Sequence, residues 1–202
     1  MSEPLPKPNP ESDCRRRLIE AAHEAFRRDG FRGASVDRIA AAAGVAKQTF
    51  YNHFPSKEAL FEETIRLGVR EIVVELNDAP GDVRKRLIAF SLAFRRKLLS
   101  PEGLDWYRTA IADLSRLPEL GCIVWRQGPL QTLQYLADFL SAAMDRGELR
   151  HDDPMFAAEM LNGMLINLDR TRGLLAGDFV PGADPEKVER IVACFLRAYQ
   201  PQ

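Results

Sequence analysis

The segment Ser35–Lys57, SVDRIAAAAGVAKQTFYNHFPSK, holds the side chains whose types and spacing could do chemistry. At about 100° per residue, Phe50 and Phe54 fall on one side of a helix running from Lys47 to Phe54. Gln48, Thr49 and Asn52 fall on the other side, with Tyr51 and His53 on the flanks and Lys47 in the first turn. This outward face is made of hydrogen-bonding and cationic groups with almost no acid. Gln or Asn can pair bidentately with adenine, and Lys can donate to guanine acceptors. Tyrosine and threonine hydroxyls suit phosphate oxygens, and helix N-termini favour anions. Ser56 caps the next helix, and Lys57 in its first turn stands where a backbone phosphate could rest. The chemistry on offer is recognition of duplex DNA. A polar face alone is what most solvated helices present, so the surrounding elements must decide.

Those elements point the same way. Ser35 is a good N-cap, since its hydroxyl can accept from an orphan amide of the next turn. Val36, Ile39, Ala40 and Ala43 repeat at i, i+3, i+4 and i+7, one apolar face of a short helix. The alanines at 40–43 remove bulk and allow a second helix to cross closely. Gly44 can adopt the left-handed conformation that ends a helix, and Val45 can plug the corner. Two short helices crossing through a glycine turn form a helix-turn-helix, whose second helix enters the major groove.

Strand signals are nearly absent from the 202 residues, whereas helical spacing of apolar residues recurs throughout. The expected fold is all-α, with about nine helices near 13–29, 35–43, 47–54, 56–77, 82–99, 102–116, 129–146, 154–175 and 184–199. The stretch 118–128 reads as a short helix or a loop. A hydrophobic content of 46% excludes a chain that is disordered as a whole. No apolar run approaches the roughly 20 residues that a bilayer span requires, so no membrane partner is expected. The formal charge is only −1, so binding to nucleic acid must come from a local patch. Residues 13–60 supply one, with nine basic side chains against six acidic ones. Residues 1–12, with prolines at 4, 6, 8 and 10 and no apolar stretch, read as a disordered arm and not a signal peptide. Cys14, Cys122 and Cys194 form neither a disulfide framework nor a zinc site. They read as thiols of a cytoplasmic protein, with redox sensing through one of them as the alternative.

Residues 15–61 closely resemble the N-terminal DNA-binding domain of TetR-type transcriptional repressors. The resemblance is carried by Phe26 and Asp29-Gly30-Phe31, by Ser35 to Ala40, by Ala43 to Val45, and by Thr49, Tyr51, Phe54, Lys57 and Leu60. It implies a homodimer, a palindromic double-stranded DNA operator and a small-molecule effector bound among the C-terminal helices. It divides the chain into a helix-turn-helix domain at 13–58 and an effector-binding and dimerisation domain at 59–202. By position, Ser35, Thr49, Tyr51, His53 and Lys57 resemble the family's phosphate-contacting set, and Lys47, Gln48 and Asn52 its base-reading or groove-lining positions. Two departures matter. The turn Gly44-Val45-Ala46 lacks the serine frequent at its third position, and Gln48 stands where a small residue is often found.

Residues 59–202 contain no recognisable catalytic set and imply no cofactor or metal. His23, His53 and His151 fall in different segments, and pairs such as Glu62-Glu63 read as solvated. Phe156, Met160, Gly163 and Met164 on one helix are expected to form a dimer interface. Val188, Ile191, Val192, Phe195 and Tyr199 on another are expected to join them, with a thick intrachain core as the alternative. Phe90, Phe94, Trp106, Tyr107, Trp125, Tyr135, Phe139 and Met144 read either as core or as the lining of an effector pocket. Asn162, Asn167 and Arg170 are the candidate polar anchors of such a pocket. The stretch from Leu99 to Pro129 is similar to the AefR-like C-terminal subgroup. The expectation is therefore a repressor released by an effector. The rivals are a DNA-binding regulator without small-molecule input and a helical enzyme or scaffold.

Overall fold

The computed structural model describes residues 10–77, 81–114, 116–176 and 182–201. These form ten α-helices and no strand: α1 (Pro10–Gly33), α2 (Val36–Ala42), α3 (Lys47–His53), α4 (Lys57–Asn77), α5 (Val83–Leu99), α6 (Pro101–Leu114), α7 (Pro118–Gln127), α8 (Pro129–Asp145), α9 (Pro154–Leu175) and α10 (Pro185–Ala198). Nine correspond to the expected segments. The tenth, α7, resolves the stretch left open between helix and loop. Proline starts α7, α8, α9 and α10, where its missing N–H is one of the orphan donors in any case. α1 begins at Pro10, ahead of the expected start at 13, and the rest of the expected arm lies outside the described residues. None of the described helices is long and apolar enough to cross a membrane.

Two apolar clusters organise the molecule. The first joins α1, α2 and α3 through Leu18, Phe26, Ile39, Phe50 and Phe54. It extends past the expected boundary at 58, because Leu60, Phe61 and Ile65 of α4 and Leu120 of α7 belong to it. α4, α6 and α7 complete it, with Trp106 and Leu114 of α6 and Ile123 and Val124 of α7 packed against it. The second cluster fills the body between α4, α5, α8, α9 and α10.

The body distributes the expected pocket and interface residues between core and surface. Phe90 and Phe94 stack at 5.5 Å and are buried with Phe139 and Met144 in the second cluster. Trp106 packs on the first cluster instead, and Tyr107 stacks under the Arg170 guanidinium at 4.8 Å. Trp125, Tyr135 and Asn167 are exposed, and Asn162 is half-buried. Among the described residues the expected pocket set is thus spread over both apolar clusters and the surface. The interface set also divides. Val188, Val192, Phe195 and Tyr199 face inward onto α5 and α9 of their own chain, and Ile191 packs at the edge of that core. By contrast, Phe156, Met160, Gly163 and Met164 lie open on α9 together with Leu168 and Leu175. Glu63 differs from its reading as well. It is 6% exposed and ion-paired to Arg66 at 2.6 Å and Arg15 at 3.1 Å, a structural carboxylate between α1 and α4.

Among the described residues Arg95 is one of the largest fully buried side chains. Its guanidinium donates to Asp169 Oδ2 at 2.8 Å, to the carbonyls of Ala183 at 2.9 Å and Gly182 at 3.2 Å, and to that of Leu165. Lys187 reaches the same carboxylate oxygen at 2.6 Å. One charge network thus ties α5, α9 and the start of α10.

Candidate nucleic-acid interface

The turn between α2 and α3 is fixed by backbone geometry. Ser35 is extended (φ −117°, ψ 143°) and its Oγ accepts from the Arg38 amide at 3.3 Å, the expected N-cap. At the other end Gly44 takes φ 67°, in the left-handed region. Its amide donates to the Ala41 carbonyl at 3.0 Å and the Val45 amide to that of Ala40 at 3.0 Å, the paired bonds of a Schellman motif. Arg17 of α1 donates to the Ala43 carbonyl at 2.8 Å and closes the corner from outside. A Cβ on residue 44 would meet that guanidinium at 3.3 Å, so glycine serves both the conformation and the clamp.

Helix α3 sits on its two rings. Phe50 is 0% exposed and Phe54 3%, with centroids 6.2 Å apart, and the Arg15 guanidinium lies 5.0 Å from the Phe54 ring. Lys47, Gln48, Tyr51 and Asn52 are exposed on the other side, while Thr49 and His53 are half-buried. Tyr51 leans edge-on against Phe50 at 5.2 Å, which anchors its ring, and it is 45% exposed. Gln48 Nε2 donates to Asn52 Oδ1 at 3.3 Å, one turn along the face. That pairing orients two amides side by side, an arrangement suited to base edges. Ala46, at the N-cap of α3, makes no side-chain cap bond, the structural counterpart of the missing serine. The first turn of α3 is closed by backbone alone, the Thr49 amide donating to the Ala46 carbonyl at 2.9 Å.

Two cations differ from their expected places. The Lys47 ammonium pairs with Asp37 of α2 at 2.9 Å, a hydrogen bond that raises its pKa. Both groups are well exposed, so the pair is weak and exchangeable for a phosphate. Lys57 is held more firmly: its Nζ donates to the carbonyls of Phe31 at 2.7 Å and Ala34 at 3.0 Å and lies 4.3 Å from the Phe31 ring. Burial pushes this ammonium below its ordinary pKa. Lys57 thus pins α4 to the end of α1. From the sequence Arg38 is distinguished only by its charge. It is exposed beside Asp37 at the start of α2, and bonds to Ser35 Oγ and the Gly33 carbonyl hold its guanidinium. Its place three residues after the N-cap Ser35 is the sequence feature that marks it. Among the described residues no group of His, Cys, Asp or Glu is arranged to hold a metal ion.

The comparisons with known proteins agree with this geometry. Residues 18–64 match the family described as bacterial regulatory proteins, tetR family, and residues 85–201 match the AefR-like transcriptional repressor, C-terminal domain. The HTH-type transcriptional repressor AcnR of Corynebacterium glutamicum is 26% identical over 164 residues, covering 78% of this chain and 82% of that protein. Among solved structures, the flavonoid-responsive regulator FrrA is 30% identical with a TM-score of 0.69, over 95% of this chain and 99% of that one. A TetR family transcriptional regulator from Pseudomonas syringae is 28% identical with a TM-score of 0.64, over 93% and 97%. A helix-turn-helix with its rings seated and its polar tips outward, followed by an AefR-like helical body, makes this chain a member of the TetR family of DNA-binding transcriptional regulators, which are not enzymes.

Proposed function

We propose that the chain acts in the cytoplasm as a homodimeric repressor that reads a palindromic operator and is released from it by a small-molecule effector. The observation that carries the dimer is the outer face of α9. Phe156, Met160, Gly163, Met164, Leu168 and Leu175 form one uncovered apolar stripe along it, with Leu168 58% and Leu175 83% exposed. Monomeric soluble proteins rarely leave a contiguous apolar face of this kind in water. A second copy with the same stripe would cover it about a two-fold axis. Two copies so related present two α3 helices to two half-sites, and the operator inherits their symmetry.

An effector is supported by the kinship with a flavonoid-responsive regulator and by two polar atoms in the body. Ser91 Oγ and Gln131 Oε1 are buried without a hydrogen-bond partner, and such groups call for one. The closed packing around Phe90 and Phe94 favours a second reading, a regulator with no small-molecule input. Under the first reading, a coupling of about 1–3 kcal/mol would lower operator affinity roughly 5–150-fold.

Selection of bound duplexes from random DNA tests the core of the proposal. Inverted repeats occupied by two protomers are expected, with affinity falling ~10³–10⁵ between 50 and 200 mM salt for ~6–10 phosphate contacts. Lone half-sites bound by one protomer, or a flat salt response, would refute it. Thermal shift with flavonoids and other planar aromatic compounds separates the two readings. A shift accompanied by operator release supports the effector, and stability unmoved across the panel supports the regulator without one.

A further inference from the structure

We propose that Asp113 of α6 is a positioning residue for operator reading, because its carboxylate indexes the helix-turn-helix head onto the body. The joint lies at the end of α1, where Gly30 breaks the helix with φ 71° and ψ 175°. The next amide, Phe31 N–H, points out of the helix and donates to Asp113 Oδ2 at 2.6 Å, across 82 residues of chain. The carbonyl of the same residue accepts from Lys57 Nζ at 2.7 Å. The residue that leads into α2 is therefore gripped from both sides, by α6 at its amide and by α4 at its carbonyl. Gly30 makes the grip possible. A Cβ there would lie 2.6 Å from Asp113 Oδ2 and 3.3 Å from Thr109 Cγ2, so any side chain would displace the carboxylate from the Phe31 amide.

The surrounding packing makes the bond a matter of direction more than of cohesion. Phe31 meets Phe26 and Phe61 at 5.7 and 5.2 Å on the head side. Trp106, Leu114 and Leu120 face it across a void of about 10 Å³. Apolar rings and aliphatic groups stick together in many relative orientations, whereas a carboxylate bonded to one amide admits few. Asp113 thus selects one angle of head against body from those the seam would allow. In a two-fold assembly that angle sets the separation of the two α3 helices, and so the half-site spacing that is bound best.

This inference rests on the dimeric reading above, and its test separates the two. The probes are the selected operator, the same operator with one base pair added or removed between half-sites, and a duplex carrying a single half-site. Wild type should prefer the native spacing; equal binding to all spacings would remove the dimeric reading and the inference together. With Asp113→Ala, verified as folded by circular dichroism, single half-site affinity should stay unchanged. Its preference for native over altered spacing should fall about tenfold, the scale of one charge-assisted hydrogen bond. Asp113→Asn keeps the shape with a weaker acceptor and should fall between the two. It also serves as the test protein if the alanine variant does not fold. A merely structural role would lower affinity for every duplex alike. A folded variant that keeps the wild-type spacing preference, while the Phe31 amide exchanges with solvent faster, would overturn the proposal.

Discussion

Replacing Arg95 with methionine should loosen the body by about 3 kcal/mol. The guanidinium is 1% exposed and makes four bonds, to Asp169 and to the carbonyls of Leu165, Gly182 and Ala183. Methionine keeps the aliphatic stem, so the loss is that of the charge and its donors. Removing one member of a buried pair costs roughly 3–5 kcal/mol, because a charge is left without compensation. Here Asp169 keeps Lys187 at 2.6 Å, whose side chain is 38% exposed, which places the effect at the lower end. For a chain of this size about 3 kcal/mol corresponds to a fall in Tm of roughly 6–12 °C. Urea titration at one fixed protein concentration measures it, since assembly is linked to stability.

Adding Asp169→Leu removes the carboxylate as well, so the double variant should lose less than the sum of the single ones, with a coupling of about 1–3 kcal/mol. Acid provides a second check. Burial pushes the Asp169 carboxyl up, but bonds from Lys187 and Arg95 outweigh this and hold it below the usual carboxylate range. A carboxyl depressed in the folded state stabilises the protein above the unfolded value near 4, and that contribution disappears as pH falls through the folded value. The gap between parent and Arg95→Met should therefore narrow below about pH 4. An Arg95→Met variant within 0.5 kcal/mol of the parent, or single effects that simply add, would refute the reasoning.

Further outcomes follow from the interface. Phe50→Ala, at a ring that is 0% exposed, should cost about 3–5 kcal/mol and abolish duplex binding, while Phe50→Leu preserves most of both; denaturant unfolding and fluorescence anisotropy read the two effects. Asp37→Asn frees the Lys47 ammonium at a cost below about 1 kcal/mol and should raise operator affinity several-fold with a steeper salt dependence; unchanged affinity would mean that Lys47 does not reach DNA. Gly44→Ala forces a left-handed conformation on a residue with a Cβ and crowds Arg17, so thermal unfolding should show a loss of about 1–2 kcal/mol. Gln48→Ala should reorder preference among operator variants, whereas Tyr51→Phe should weaken all of them alike, as a binding matrix of single-base variants would reveal.

Much of the interface was legible because helical periodicity and turn chemistry are local. Ser35, Gly44 and the pair Phe50 and Phe54 declare a cap, a stop and a seated face within 20 residues of chain. Their structure agrees with that reading. Periodicity states which residues share a face but not what that face meets. Met160 and Val192 belong to equally apolar helical patterns, yet Met160 is 40% exposed on α9 and Val192 is 0% exposed on α10. The aromatic spacing of Phe90 and Phe94 suited a pocket as well as a core, and close packing with α8 and α9 made it core.

The local order of residues thus determined the all-α architecture and the two faces of α3, since both depend on neighbours within a turn or two. Tertiary structure alone decided where the long and charged side chains end. Lys57 turns back to the carbonyls that end α1, Lys47 to Asp37, and Asp113 reaches an amide 82 residues away. A flexible charged side chain settles on the nearest opposite charge or unpaired backbone group, and only the folded chain determines which one that is.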